Sequence, residues 1–154
     1  MPDIDIQVKD KRFYFIKFNL KQFCRQVVAA GWQKKNEPAE ISIVLTTDEM
    51  VRKLNKTYRH KDKSTNVLTF ATGTAMRQAD RWLAGDIVIA YETLCREAKE
   101  QKKSPKAHLA HLLTHGVFHL QGYDHQTAAQ ARVMERSEIK TMQKLGFENP
   151  YREA

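Results

Sequence analysis

The run His115-Gly116-Val117-Phe118-His119-Leu120-Gln121-Gly122-Tyr123-Asp124-His125 carries residue types at a spacing suited to holding a metal ion. Two histidines four residues apart share one helical face, so their ring nitrogens can converge on one ion at about 2.0 to 2.1 Å. Glycine readily takes the left-handed conformation that ends a helix, so Gly122 lets the chain double back and bring His125 to the same ion. Three protein ligands leave a fourth position for water or substrate, which is the pattern of a catalytic rather than a structural zinc.

His111 lies on the same stripe, but residues eight apart are separated by about 12 Å along a helix axis, so 111, 115 and 119 cannot all bind one ion. The pair 115/119 is preferred because it adjoins the glycine turn, and His111 is expected to support the site from behind or to face the core. A zinc peptidase of the H-E-x-x-H kind has its general base immediately after the first histidine, and here that residue is Gly116. The peptidase chemistry therefore loses its main catalyst. Asp124 is the nearest substitute, as a base or as the group that orients a histidine N–H, against the plainer role of capping a turn through backbone N–H groups.

Periodicity predicts the elements that must position these residues. Strands are expected at Ile4 to Val8, Ile41 to Thr46, Asn66 to Phe70 and Asp86 to Ala90, where apolar and β-branched residues run or alternate. Helix-period patterns cover Phe18 to Ala30, Asp48 to Tyr58, Glu92 to Lys103, Lys106 to Gln121 and Thr127 to Leu145, with Gly31, Gly122 and Gly146 as stops and Thr47 and Ser104-Pro105 as starts. The order βαβαββααα predicts an α+β chain, a mixed sheet of about four strands covered by about five helices, with the metal site on a late helix and the turn after it. The stretch Ala71 to Ala84 reads as a long loop.

With 154 residues, one hydrophobic core is expected and hence one domain. No window nears the roughly 20 apolar residues of a membrane span, and the first residues lack a signal-peptide pattern, so a cytoplasmic location is expected. Cys24 and Cys95 are too few and too far apart for a cysteine metal knuckle and read as buried thiols. The net charge of +8 fits a polyanionic partner.

Cations gather in Leu54 to Phe70, with Lys56, Arg59, Lys61 and Lys63. Arg59 stands where a helix ends, and its planar fork can hold a phosphate or stabilise charge developing on one, against the alternative of an ordinary ion pair with Asp62. Tyr58, Phe70 and Trp82 are candidates for stacking on bases, although core packing is the expectation for each.

Together, Leu54 to Phe70 (L-N-x-x-Y-R, then T-N-V-L-T-F), Gly85 to Ile89 (G-D-I-x-I) and His115 to His125 resemble the YbeY family of bacterial rRNA maturation endoribonucleases, and Leu145 to Tyr151 form a family-like ending. The resemblance implies a zincin-like fold, one Zn2+ per chain on His115, His119 and His125, and Arg59 in catalysis or phosphate binding. It also implies single-stranded RNA as substrate, in particular ribosomal RNA of the small subunit. Ser64 and Ala71 stand where the family often has proline, and Phe118 where it has leucine, which touches packing and loop shape rather than the ligands. The rival expectations are a ribosome-assembly factor with a structural metal and, less favoured, a metallopeptidase.

Overall fold

The computed structural model describes residues 2–15, 19–34, 39–71, 77–78 and 81–152. Strand β1 (Asp3–Val8) leads through a 3-10 turn (Lys11–Phe15) to helix α1 (Leu20–Gly31), followed by β2 (Ala39–Thr46) and α2 (Asp48–Arg59). Then come β3 (Val67–Ala71), β4 (Arg77–Gln78), β5 (Arg81–Ala90), α3 (Tyr91–Glu100), α4 (Pro105–Leu120) and α5 (Ala128–Lys144). The main strands lie in the order β1-β2-β5-β3. The pairs β1/β2 and β2/β5 are parallel, whereas β3 and β4 run antiparallel to β5. This is the expected mixed α+β sheet.

Strand alternation divides the apolar residues between two faces. Ile41, Ile43 and Leu45 of β2 and Ile87 and Ile89 of β5 face the larger core, with Phe23 and Val27 of α1, Leu94 of α3 and Leu109, Leu113 and Val117 of α4. Val44, Val88, Ala90 and Leu68 face the other way, onto Val51 and Leu54 of α2. Helix α4 is thus packed on the sheet while flanked by α1, α3 and α5. Its sequence is apolar over most of its circumference for that reason, and the histidine side is its polar exception.

The starts of α2 and α4 are capped as the sequence predicts. The side chains of Thr47 and Ser104 accept backbone N–H bonds at the starts of α2 and α4, and Thr127 forms a reciprocal capping box with Gln130 at α5. Helix α3 stops three residues before the expected end, because Lys102 takes a left-handed conformation (φ 55°) and the Lys103 N–H bonds back to the Ala98 carbonyl at 2.8 Å. A cap without glycine leaves no local signal. Gly31 does not stop α1 by a left-handed turn but sits inside it, and an added Cβ would be 3.3 Å from Cγ1 of Val117. Its smallness serves the close approach of α1 to α4.

The stretch Ala71 to Ala84 is not simply a loop. It contains β4 and the first four residues of β5, a ten-residue strand whose early part pairs with β2 through Ala39↔Trp82 and Glu40↔Leu83. A register shift follows between Glu40 and Ile41, opposite Gly85. Gly85 has φ +129°, and a Cβ there would lie 2.0 Å from the Phe70 carbonyl oxygen, so the β3/β5 pairing requires glycine at that point. Long-range pairing of this kind is not encoded in a local apolar pattern.

Candidate metal centre and cleft

Helix α4 presents His115 and His119 one turn apart near its C-terminal end, and Gly122 (φ +97°) turns the chain back. The turn is held by Tyr123 N–H donating to the Phe118 carbonyl at 3.1 Å and by the Tyr123 ring packing edge-on against Phe118 at 5.0 Å. It delivers His125 so that one ligand atom from each of His115, His119 and His125 lies within 4.8 Å of the others. Among the described residues no fourth histidine, cysteine or carboxylate joins this cluster.

The hydrogen bonds behind the rings decide which nitrogens face one another. His119 Nδ1 donates to the Tyr123 carbonyl at 3.1 Å, and His115 Nδ1 donates to Oε2 of Glu138 at 3.2 Å. Both Nε2 lone pairs are thereby left for an ion. Burial, together with the neighbouring His115 and His125, pushes the His119 pKa below its ordinary value. The neutral ring favoured in this way is the form that binds metal. Three imidazoles, two of them with oriented tautomers, and no fourth protein donor among the described residues fit a divalent ion of the zinc kind.

Glu138 was not singled out by sequence reasoning. It is fully buried on α5 and accepts from His115, from His111 Nε2 at 2.8 Å and from the Tyr151 hydroxyl at 2.8 Å. Burial raises its pKa, but the hydrogen bonds from His111 and His115 and their charges outweigh this and hold the carboxyl down at about 2. His111 thus stands behind the cluster, bonded to the carboxylate that orients His115. A charged residue on the buried face Met134, Glu138, Thr141, Met142 was the available signal.

The cluster opens onto a cleft of about 890 Å³. One wall is His115, His119 and the turn from Gly122 to Gln126; the other comprises Asn55, Arg59, Lys61, Lys63 and β3. The basic loop is fastened by Asn55, whose Nδ2 donates to the Lys63 carbonyl at 2.9 Å, and His60 closes α2 in a left-handed conformation. Asn66 ties the start of β3 to α3 by donating to Glu97 at 3.0 Å, and the same Glu97 oxygen lies 2.9 Å from Nε2 of His108.

Arg59 does not pair with Asp62, which bonds Arg52 at 2.7 Å instead. Its guanidinium donates to the Thr69 carbonyl and lies 5.3 Å from the Phe70 ring centre, so it is aimed along the cleft with other donors free for a ligand. Asp124 also lines the cleft, and its Oδ1 accepts the His125 backbone N–H at 2.8 Å. The carboxylate that orients a ring of the cluster is Glu138, and the other orienting acceptor is the Tyr123 carbonyl. Tyr58 is 65% exposed rather than in the core, with its edge on Phe70 at 5.6 Å. The Trp82 side chain lies outside the described residues, as does Phe18. Cys24 is buried, which pushes its thiol up to about 12, whereas Cys95 is only half-buried.

Comparison with known proteins places the chain in a family. The family model described as Endoribonuclease YbeY matches residues 5–146, a span that includes the cleft, the cluster and all of α5. The chain belongs to the YbeY family. An Endoribonuclease YbeY of Rhizobium etli is 39% identical over 162 residues, covering 98% of this chain and 95% of that protein. One from Neisseria meningitidis is 45% identical over 124 residues, covering 77% and 72%. One from Gluconobacter oxydans is 47% identical over 112 residues; the match covers 73% of this chain but only 63% of that longer relative. The solution structure of TM1509 from Thermotoga maritima shares the fold, with a TM-score of 0.56 at 20% identity over 95% of this chain and 92% of that one.

Proposed function

We propose that this YbeY-family chain is a zinc-dependent endoribonuclease that cuts single-stranded RNA, acting in the cytoplasm on ribosomal RNA of the small subunit during its maturation. The observation that carries the reading is a three-histidine cluster, without a fourth protein donor among the described residues, opening onto a cleft walled by Arg59, Lys61 and Lys63. A structural zinc would be closed by a fourth ligand, so this arrangement favours catalysis over a purely structural metal. The names of the relatives as endoribonucleases support the same class.

His115, His119 and His125 hold the ion. Bound there, zinc supplies Lewis acidity toward a phosphate oxygen or a water molecule. Arg59 binds the non-bridging oxygens of the scissile phosphate through its fork and steadies the charge that grows on them. Lys61 and Lys63 neutralise neighbouring phosphates. Asp124 is the only carboxylate among the described residues lining the cleft, and it accepts the proton of the nucleophile. An extended single strand fits between the two walls, whereas a duplex is wide and stiff. Gly116 is buried, and a Cβ there would be 3.0 Å from Ile87 of the sheet. A peptidase glutamate at this position has no room beside the sheet.

The test pairs metal content with cleavage of a labelled single-stranded RNA by wild type, His119→Ala and Arg59→Glu. About one zinc per chain in wild type, its loss in His119→Ala, and retained zinc without cutting in Arg59→Glu are expected. Equal cleavage by all three sinks the reading, and binding without cutting moves the chain to the assembly-factor class. Water and the RNA 2′-hydroxyl both fit as nucleophile: a 3′-hydroxyl product excludes the 2′-hydroxyl, and a cyclic or 3′-phosphate indicates it.

A further inference from the structure

Helix α5 begins three residues after His125 and carries Arg132, Arg136, Lys140 and Lys144, each four residues from the last. All four are exposed. The buried residues of the helix, Met134, Glu138, Thr141 and Met142, lie on the opposite face, and among the described residues none of the four cations makes an ion pair. Of the two carboxylates on α5, Glu138 is buried and Glu135 is turned toward a recess between His115, His125 and Tyr151. The outer face therefore presents four positive charges with none of opposite sign among them.

Four residues of helix rise about 6 Å, which is close to the separation of successive phosphates along an extended single strand, and the row is about 18 Å long. At its far end Lys140 and Lys144 border a depression of about 390 Å³ with Gly31, Trp32 and Gln33. Like charges at i,i+4 repel, so the row costs helix stability unless a polyanion covers it. From this stripe we infer a second RNA-binding surface, a track on the outer face of α5 that holds the phosphates of a strand leaving the cleft past Gln126 and Thr127. The track rests on the RNA reading proposed above. It makes no base contacts, and its part is to favour long strands over short ones.

The experiment uses the full chain loaded with zinc, with Arg132, Arg136, Lys140 and Lys144 all changed to Gln, which keeps helix propensity. Binding of a six-nucleotide and a thirty-nucleotide unstructured RNA is measured across a salt series, with poly-glutamate in parallel, and circular dichroism checks the fold. A single-strand phosphate contact contributes about 0.7 to the slope of log affinity against log salt, so the slope for the long RNA is expected to flatten by about 2 to 3. Its affinity at low salt is expected to fall about tenfold or more, while the short RNA binds and is cut as by the parent. A long-RNA slope and affinity equal to the parent's overturn the track. Loss confined to poly-glutamate also overturns it and assigns the stripe to an acidic protein. A parent that binds the long RNA with the steep slope but cuts neither RNA leaves the track standing and sinks the nuclease reading. A parent that binds neither RNA sinks both.

Discussion

At the scale of single residues, Glu138 holds the most consequential position outside the cleft. A buried carboxylate that accepts from two histidines and a tyrosine fixes the His115 ring before any ion arrives. Replacing it by Gln turns an amide N–H toward one of three donors, so Glu138→Gln is expected to cost about 1 to 3 kcal/mol at neutral pH and to weaken zinc retention against a chelator. Its pH signature follows from a folded value near 2 against an unfolded value of about 4.3. The carboxylate stabilises the fold fully above the unfolded value and loses that contribution as pH falls toward the folded one. Urea unfolding should show wild type losing on the order of 3 kcal/mol more than Glu138→Gln between about pH 5 and pH 2. Parallel curves for the two proteins would contradict this account. Tyr151 shares the same acceptor, so Tyr151→Phe is expected to loosen zinc in the same direction by a smaller amount, read by the same chelator competition.

At the scale of elements, the site is a helix end and the turn that follows it. Gly122 has φ +97°, and nothing lies within 4 Å of a Cβ built there, so an alanine meets no clash and the cost is purely one of backbone conformation. Gly122→Ala is expected to lower stability by about 1 kcal/mol and to weaken zinc binding at least tenfold, because the relaxed turn moves His125 while His115 and His119 stay on α4. Isothermal titration with zinc and thermal melts separate the two effects, and unchanged zinc affinity would show that the turn does not set the ligand. Gly116 is the converse case, a helical glycine with Ile87 atoms at 3.0 to 3.2 Å from a built Cβ. Gly116→Ala is expected to cost about 1 to 3 kcal/mol by overpacking α4 against the sheet. A melting temperature equal to wild type would refute that contact.

At the scale of the whole molecule, an ion held by the three histidines would join α4 to the following turn, and Glu138 and Tyr151 join α4 to α5 and the turn after it. An ion bound by the folded chain alone stabilises it by about 2.7 kcal/mol at one hundred times its dissociation constant. Chelation is therefore expected to lower Tm by roughly 5 to 10 °C in wild type and to leave His119→Ala unmoved. Equal shifts in both proteins would place the effect elsewhere than at the cluster. The two walls of the cleft come from opposite sides of the sheet's architecture, α2 and its loop from the smaller core and α4 from the larger one. Strand β3 lines the groove between them.

The sequence by itself determined the parts that depend on near neighbours along the chain. The 115/119 pair, the glycine turn that returns His125, the caps at Thr47, Ser104 and Thr127, and the strand and helix order are all local patterns with local physical causes. Only the tertiary structure decided what lies across the chain. It set the length of β5 through pairing with β2, the need for glycine at 85 through the Phe70 carbonyl, and the emptiness at 116 through Ile87. It also placed Arg59 on the Thr69 carbonyl instead of Asp62, and chose Glu138 as the partner of His115. A helical period shows that a face is buried; which carboxylate meets which imidazole there depends on how two helices pack to join residues 23 apart in the chain, and no short-range pattern encodes that packing.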